Sequence, residues 1–360
     1  MMAKQDPQLD RFAGCMAAAF AKAVATEPVQ THKLSVAGHT VLLRFAGPAL
    51  VAAILPALAH LEIDARSGPA PEITFHLWDS TSTGIYPPTL PFHADDYWRY
   101  GHRAIADDGQ IALMHALGTR ILFLYHRKQR AGFFRTQDAH RISIYERTAP
   151  LQTLFQWALS EHGWCFVHTA AVGTERGGVL LVGNFGAGKS TTALACLQEG
   201  RLGFLCDDTC LLSLDPAPQA FGIFSSAFLN EDALGMLPGF DALVVARDGQ
   251  HRLGRSLIHL HPAYMERLRR QLAIRALLIL QIAEATEPRI AQTAPNQALR
   301  ILGPSSILRL PGGENAMLRF LSDLVSQVPC YRLALARDSV TNARYIARFV
   351  EQGLCHPPAP

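Results

Sequence analysis

The sequence lacks the features that mark membrane, secreted and nucleic-acid-binding proteins. Its 360 residues carry a formal net charge of only +3, and they hold no dense run of lysine and arginine that would favour a nucleic acid as partner. The longest apolar stretch, Phe45–Ala59, contains two prolines and is too short to cross a bilayer. Lys4, Asp6 and Asp10 precede any apolar run, which is unlike a signal peptide. We therefore expect neither a membrane nor a nucleic acid as partner.

Cysteine is also scarce. The seven cysteines are an odd number, are scattered along the chain and lie mostly inside apolar stretches. This pattern is typical of small core residues in a reducing compartment and not of a disulfide framework, so we expect a cytoplasmic protein. The spacing of Cys206 and Cys210 does not fit the C-x-x-C of a zinc site. His259 and His261 have no third ligand near them in the sequence, so surface histidines are the simpler interpretation.

What the chain does contain is a phosphate-binding loop. Eight consecutive residues read G-N-F-G-A-G-K-S, which matches the G-x-x-x-x-G-K-[ST] pattern. Gly178–Val182 predicts a strand before the loop, and Thr191–Glu199 predicts a helix that ends at Gly200. In this motif the glycines turn backbone N–H groups toward a polyphosphate, Lys189 adds positive charge near the β- and γ-phosphates, and the Ser190 hydroxyl is a ligand for Mg²⁺. The residues predicted to bind ATP are Gly183, Asn184, Phe185, Gly186, Ala187, Gly188, Lys189, Ser190 and Thr191.

A pair of carboxylates follows Lys189 after 18 residues. Leu202–Cys206 predicts a strand, and Asp207 and Asp208 come directly after it, at the sheet edge where the P-loop also lies. Phosphoryl transfer needs one carboxylate to hold Mg²⁺ and one to orient or deprotonate the attacking hydroxyl. The sequence does not decide between the two roles; we expect Asp208 to be the base and Asp207 to hold the metal with Ser190. The alternative is that the pair only caps a turn.

Together these features resemble the HPr kinase/phosphorylase family. His168 precedes Gly183 by 15 residues, and the family combines a histidine at this spacing with a P-loop and an Asp-Asp pair at nearly the same distance. The resemblance covers residues 163–215 well. From there to residue 352 it extends only to the order of the predicted helices and strands. It implies an ATP-dependent kinase, with Lys189, Asp207 and Asp208 in the catalytic site and His168 tuning the base or contacting phosphate. For His168 a structural role in the core is the alternative.

The resemblance also implies a fold and a domain organisation. The expected fold class is mixed α/β, with a P-loop kinase domain of the HPr kinase/PEP carboxykinase-like type at residues 148–354. Residues 1–147 predict an N-terminal α+β domain with a role in acceptor recognition. Locally, the patterns predict a strand at Arg141–Tyr145, a helix at 148–163 that leads into the nucleotide region, mobile loops at 216–260 and a helix at 261–271. Family members are hexameric, so a homo-oligomer is also implied.

One family signature has no counterpart in this chain. The Glu-x-Arg-Gly-x-Gly sequence is missing, and the nearest basic segment is 250–255. Arg252 or Arg255 is a candidate to neutralise charge in the transition state; solvated loop residues are the alternative. Without the signature, we do not expect HPr as substrate or a phosphorolysis activity.

The function expected from the sequence is therefore a kinase for a serine or other hydroxyl of a protein, peptide or small molecule, with ATP and Mg²⁺ as cofactors. Two other functions stay open: a nucleotide-gated ATPase that acts as a regulator, and a catalytically weak module that binds a peptide. The intact Lys189, Ser190, Asp207 and Asp208 argue against the second of these.

Overall fold

The chain forms a mixed α/β protein with two compact units. The structure, a computed structural model, describes residues 6–64, 68–97, 103–248, 254–307 and 314–353. Contacts between residues divide the chain into a first unit that ends at His162 and a second that begins at Gly163. Within the described ranges, none of the helices has the length and apolar character needed to cross a membrane.

The first unit is built on one mixed eight-stranded sheet. Its helices and strands, in chain order, are α1 (Pro7–Thr26), β1 (Val29–Val36), β2 (His39–Ala46), α2 (Val51–Ile54), β3 (Glu62–Ile63), β4 (Ile73–Asp79), α3 (Ser80–Thr83), β5 (Arg103–Asp107), β6 (Ile111–Ala116), β7 (Ile121–His126), β8 (Ala131–Thr136), α4 (Ile144–Thr148) and α5 (Gln152–Ser160). The strand order is β3-β1-β2-β4-β8-β7-β6-β5. The apolar face of α1, including Phe12, Met16 and Phe20, is buried in a core that also contains Trp78 of β4.

Two local predictions for the first unit differ from the structure. The strand predicted at Arg141–Tyr145 is wrong, because a 3₁₀ turn at Ala139–Arg141 and helix α4 occupy this stretch. The Ser143 side chain accepts a hydrogen bond from the backbone N–H of Glu146 and so caps α4. The helix predicted at 148–163 forms over the shorter range of α5, and it packs inside the first unit, where the rings of Phe155 and Phe75 lie 5.2 Å apart.

The second unit contains a nine-stranded mixed sheet and a small three-stranded sheet. Its helices and strands are β9 (Cys165–Val167), β10 (Ala170–Thr174), β11 (Gly177–Val182), α6 (Lys189–Glu199), β12 (Gly203–Cys206), β13 (Cys210–Ser213), β14 (Gln219–Phe221), β15 (Ser226–Asn230), α7 (Glu231–Met236), β16 (Val244–Asp248), β17 (Arg255–His259), β18 (Gln271–Ala285), β19 (Arg289–Gln292), α8 (Pro295–Ile307), α9 (Glu314–Gln327), β20 (Cys330–Ala336) and α10 (Ser339–Arg348). The small sheet has the order β15-β17-β16.

Strand β11 lies at the centre of the larger sheet. It pairs in parallel with β18 on one side and antiparallel with β10 on the other, and β18 pairs in parallel with β20. Its apolar residues alternate between two cores. Val179 and Leu181 belong to the core that includes residues of α6 and α10, whereas Leu180 and Val182 belong to the core that includes residues of α8 and α9. A strand buried on both faces reads as a continuous apolar run, which explains why the sequence predicted it.

Two predictions for the second unit are wrong. Segment 216–260 is not a run of loops, since its described residues form β14, β15, α7, β16 and β17. The helix predicted at 261–271 is replaced by a 3₁₀ turn at Met265–Arg267, after which β18 begins at Gln271. In both places the pairing partner is distant in sequence. The first residues of β18, for example, pair with β14 some fifty positions earlier, as in Ala273 with Gln219. Local periodicity does not report such partners.

The cysteines of the described residues are free thiols. Four of them are buried in the second unit: Cys196, Cys206, Cys210 and Cys330. They pack as small core residues, as their apolar surroundings in the sequence predicted. Cys15 differs, because it lies on the exposed face of α1.

Candidate functional site

Matching interruptions in two neighbouring strands bring His168 and Asp208 together. Strand β9 pairs with β13 and β10 pairs with β12, so the breaks after β9 and after β12 lie side by side. Each break is a tight turn: the N–H of Thr169 bonds to the carbonyl of Val167 at 3.0 Å, and the N–H of Thr209 bonds to that of Asp207 at 2.7 Å. Asp208 has a φ of +64°, a conformation that is uncommon outside glycine.

The ring of His168 is fixed by this arrangement. Its Nδ1 lies 2.8 Å from the backbone oxygen of Asp208 and 3.2 Å from a carboxylate oxygen of the same residue. A carbonyl oxygen only accepts hydrogen bonds, so Nδ1 carries the proton and donates it. The backbone N–H of His168 donates to the hydroxyl of Ser306 in α8 at 3.1 Å. The contact with Ser306 therefore fixes the backbone of His168, and the ring of His168 in turn fixes Asp208.

Asp207 lies on the inner side of the same turn and is buried, with 4% of its surface exposed. One carboxylate oxygen, Oδ2, accepts from the backbone N–H of Phe228 at 3.1 Å, and the carboxylate also bonds with the hydroxyl of Ser190. Burial, and then the negative charge of Asp208, raise the pKa of Asp207 to about 6 despite the opposing effect of Ser190, Phe228 and Lys189. The second oxygen, Oδ1, is buried and has no hydrogen-bond partner among the described residues.

The chemistry of these donors fits a magnesium ion. Mg²⁺ prefers oxygen ligands and is usually held by one or two carboxylates together with substrate phosphates. The unsatisfied Oδ1 of Asp207 and the adjacent hydroxyl of Ser190 are such oxygens. Over the part of the chain that the structure describes, no group of three or more His, Cys, Asp and Glu residues is placed to hold a metal by itself.

The P-loop connects β11 to α6. Gly186 and Gly188 have φ values of +79° and +88°, which other residues rarely adopt. A Cβ at Gly183 would lie 2.7 Å from the Cβ of Ala187, so the loop closes only with glycine there. The ammonium group of Lys189 is buried and donates to the carbonyl oxygen of Gly183 at 2.8 Å. The loop thus ends on the positive N-terminus of α6 with a lysine at its centre, a combination suited to a phosphate chain.

A cleft of about 140 Å³ opens beside the loop. Eight of the predicted site residues line it: Phe185, Gly186, Gly188, Lys189, Ser190, Thr191, His168 and Asp208. The fold therefore brings together residues that are up to 40 positions apart in the sequence, at the mouth of one cleft. Asp207 is not a lining residue, but its carboxylate accepts a hydrogen bond from Ser190, which does line the cleft.

The small sheet supplies four further residues to the cleft: Phe228, Leu229 and Asn230 of β15 and Arg255 of β17. The guanidinium carbon of Arg255, the first residue of β17, lies 5.1 Å from the ring centre of Phe185 and 5.3 Å from that of Phe228 in β15. Stacking between two aromatic rings restricts the orientation of a guanidinium group. Of the two candidate arginines, Arg255 lines the cleft, and Arg252 lies outside the described residues. Sequence reasoning missed Phe228, because only the strand pairing of the small sheet brings it here.

Comparison with known proteins supplies no argument about the function of this chain. No family model matches the chain, and no curated protein matches it either. One solved structure that it resembles is the HPr(Ser) kinase/phosphatase from Coxiella burnetii, with 11% identity and a TM-score of 0.29 over 52% of this chain and 93% of that one. This is a distant likeness to a kinase/phosphatase and carries no argument about substrate or reaction. The functional interpretation therefore depends on the residues of the cleft.

Proposed function

We propose that this protein is an ATP-dependent kinase that transfers the γ-phosphoryl group to a hydroxyl, that of a serine in a protein or peptide or that of a small molecule. One observation carries the proposal. Asp208 presents a partly exposed carboxylate, held by His168, at the mouth of the P-loop cleft. A site that only binds nucleotide needs the loop and one metal-binding carboxylate. A second carboxylate on the open side of the cleft is suited to take the proton of an attacking hydroxyl.

In this proposal the P-loop binds the phosphate chain. The loop backbone and the N-terminus of α6, which begins at Lys189, interact with the negative charge. Lys189 supplies the fixed positive charge, and its burial strengthens the interaction because water screens it less. Ser190 and Asp207 would hold the Mg²⁺ ion, which would supply charge neutralisation for the phosphate chain.

Asp208 acts as the general base. The acceptor oxygen forms a bond to the γ-phosphorus while the bond from that phosphorus to the β-bridging oxygen breaks, and the hydroxyl proton passes to the carboxylate of Asp208. ADP leaves with the bridging oxygen. His168 keeps the carboxylate oriented through its Nδ1–H and is a positioning residue. Arg255 faces the same cleft and stabilises the charge on the transferred phosphoryl group.

The first unit selects the acceptor in this proposal. It has its own sheet and core, and the P-loop site lies wholly within the second unit. The partners in this proposal are a hydroxyl-bearing protein, peptide or small molecule, and further copies of the chain.

The test follows the label of γ-³²P-ATP. The full chain is incubated with labelled ATP and Mg²⁺ together with serine peptides, free serine or a cell extract as acceptor, and the Asp208→Asn variant serves as control. We expect label in an acceptor with the unmodified chain and almost none with the variant. Label that appears only as free phosphate, whatever acceptor is offered, contradicts the kinase proposal and favours a nucleotide-gated ATPase.

A further inference from the structure

A second, larger cleft lies at the opposite end of the strand that leads into the P-loop. It has a volume of about 700 Å³. It is lined by the turn between β10 and β11, by Arg269 and Arg275, and by Val350 and Glu351, which follow α10. Strand β11 has six residues, so its two ends are roughly 20 Å apart. The cleft, which we call the distal cleft, is therefore separate from the P-loop site, and nothing in the proposed kinase reaction uses it.

Arg269 is a partly buried arginine in the wall of the distal cleft. Its Nε is buried and has no hydrogen-bond partner within the described ranges. The side chain lies directly over Gly203, where an added Cβ would be 2.6 Å from Nε. Arg269 itself is a lining residue of the distal cleft, so its guanidinium group is part of the cleft wall. The glycine makes room for the arginine, so its position is a property of the fold.

Two more arginines line the same space. Arg275 lies over Gly177, where a Cβ would be 2.9 Å from its Cγ, and Arg176 is in the adjacent turn. Neither these two nor Arg269 forms an ion pair with a carboxylate in the portion of the chain that is described. Of the two glutamates in the lining, Glu351 is already paired with Arg201 at 3.4 Å.

The charge balance of the distal cleft is therefore positive. Three guanidinium groups line the cleft together with two carboxylates. Of these two, Glu175 forms no ion pair among the described residues, and Glu351 is paired with Arg201 outside the lining. Guanidinium groups bind phosphate oxygens through pairs of parallel hydrogen bonds. The volume is within the usual range for small-molecule sites. We propose that the distal cleft binds a small molecule that carries a phosphate group, as a second ligand site distinct from the nucleotide site.

The experiment measures pyrophosphate binding by isothermal titration calorimetry on the full-length chain. The Lys189→Ala variant is the starting protein, so that the P-loop does not compete for the probe. Arg269→Gln and Arg275→Gln are added to it one at a time. Arg289→Gln, which removes the same charge from an exposed position on β19, is the matched control. Thermal unfolding of each variant checks that it folds, and Arg275, being exposed, provides a test even if Arg269→Gln does not fold.

We expect one equivalent of pyrophosphate to bind and each of the two substitutions to weaken it about tenfold, the usual loss for a charged hydrogen bond. Arg289→Gln should leave the affinity unchanged. Glu175→Gln should strengthen binding by about threefold, because it removes a like charge from the cleft. No binding, or binding that neither arginine substitution weakens, overturns the proposal. Tighter binding of citrate than of pyrophosphate overturns the assignment of a phosphate.

The test of the distal cleft is independent of the test of the kinase proposal. Loss of nucleotide binding or of phosphoryl transfer would be measured on the unmodified chain with ATP. Pyrophosphate binding at the distal cleft is measured on a chain that already lacks the P-loop lysine. Failure of one proposal is therefore distinguishable from failure of the other.

Discussion

The imidazole of His168 donates from Nδ1 to Asp208, at 2.8 Å from its backbone oxygen and 3.2 Å from its carboxylate. Asp208 adopts a left-handed backbone conformation that costs a non-glycine residue about 1 kcal/mol or more. Strained conformations of this kind persist where the surroundings hold them and are concentrated at functional sites. The pair therefore combines an unusual backbone with a carboxylate aimed at the P-loop cleft.

Replacing Asp208 by asparagine should reduce phosphoryl transfer without removing the nucleotide. The amide keeps the size of the side chain and its contact with His168 but cannot take the hydroxyl proton. We expect transfer to fall by about 100-fold or more, with ATP–Mg²⁺ affinity nearly unchanged. Asp323→Asn, at an exposed position on α9, is the matched control and should behave as the unmodified chain. Unchanged transfer in the Asp208 variant would make Asp207 the candidate base.

Replacing Lys189 by alanine should abolish tight binding of ATP–Mg²⁺. The substitution removes the one ammonium group buried in the loop and leaves the carbonyl of Gly183 without its donor. We expect the dissociation constant measured by calorimetry to rise by about 100-fold or more. Lys22→Ala, on the exposed side of α1, should leave it unchanged. An equal affinity of the Lys189 variant would mean that the loop is not the nucleotide site.

The buried carboxylate of Asp207 should make stability depend on pH. Its pKa is raised to about 6 in the folded chain, above the ordinary 3.8, so ionisation favours the unfolded state. This destabilisation is nearly absent below pH 4, grows between pH 4 and 6, and is fully present above that range, where it amounts to about 3 kcal/mol at most.

Asp207→Asn removes that charge and tests the sign. Without ligand, urea unfolding should show the variant to be more stable than the unmodified chain at pH 7 by about 1–3 kcal/mol, and nearly equal at pH 4. The same variant should bind ATP less tightly in the presence of Mg²⁺, since a ligand oxygen of the ion loses its charge. A variant that is less stable at pH 7 than at pH 4, relative to the unmodified chain, would contradict the raised pKa.

Arg255→Lys should reduce transfer although the charge is kept. The guanidinium group stacks between Phe185 and Phe228, and a lysine ammonium lacks both the planar shape and the fork of donors. We expect kcat to fall by about 100-fold, with a small change in the KM for ATP. Arg247→Lys on the neighbouring strand β16 is the control, because that arginine is exposed. Equal effects of the two substitutions would contradict the role of Arg255 in stabilising the transferred phosphoryl group.

The parts of the fold that follow from local pattern were predicted well. Strand β11, helix α6 and its end at Gly200 are confirmed, because a buried apolar run, a glycine-rich turn and a C-terminal glycine act over a few residues. The strand predicted at Leu202–Cys206 is also confirmed, as β12 (Gly203–Cys206).

The parts that depend on distant partners were not predicted. The small sheet lies in a stretch interpreted as loops, and its strands β15 and β17 pair across more than twenty residues, as Phe228 pairs with Leu257. For the same reason the sequence offered Arg252 and Arg255 as equal candidates. Only the fold places Arg255 between two aromatic rings in the cleft.

The sequence by itself determined that a P-loop joins a buried strand to a helix, with an aspartate pair on the next strand, since these features are set by residue type and short spacing. The tertiary structure decided how the two aspartates differ. Pairing of β9 with β13 and of β10 with β12 turns Asp207 inward to Ser190 and leaves Asp208 at the open side with His168. Burial and neighbours, which no local pattern contains, give two identical side chains different chemistry.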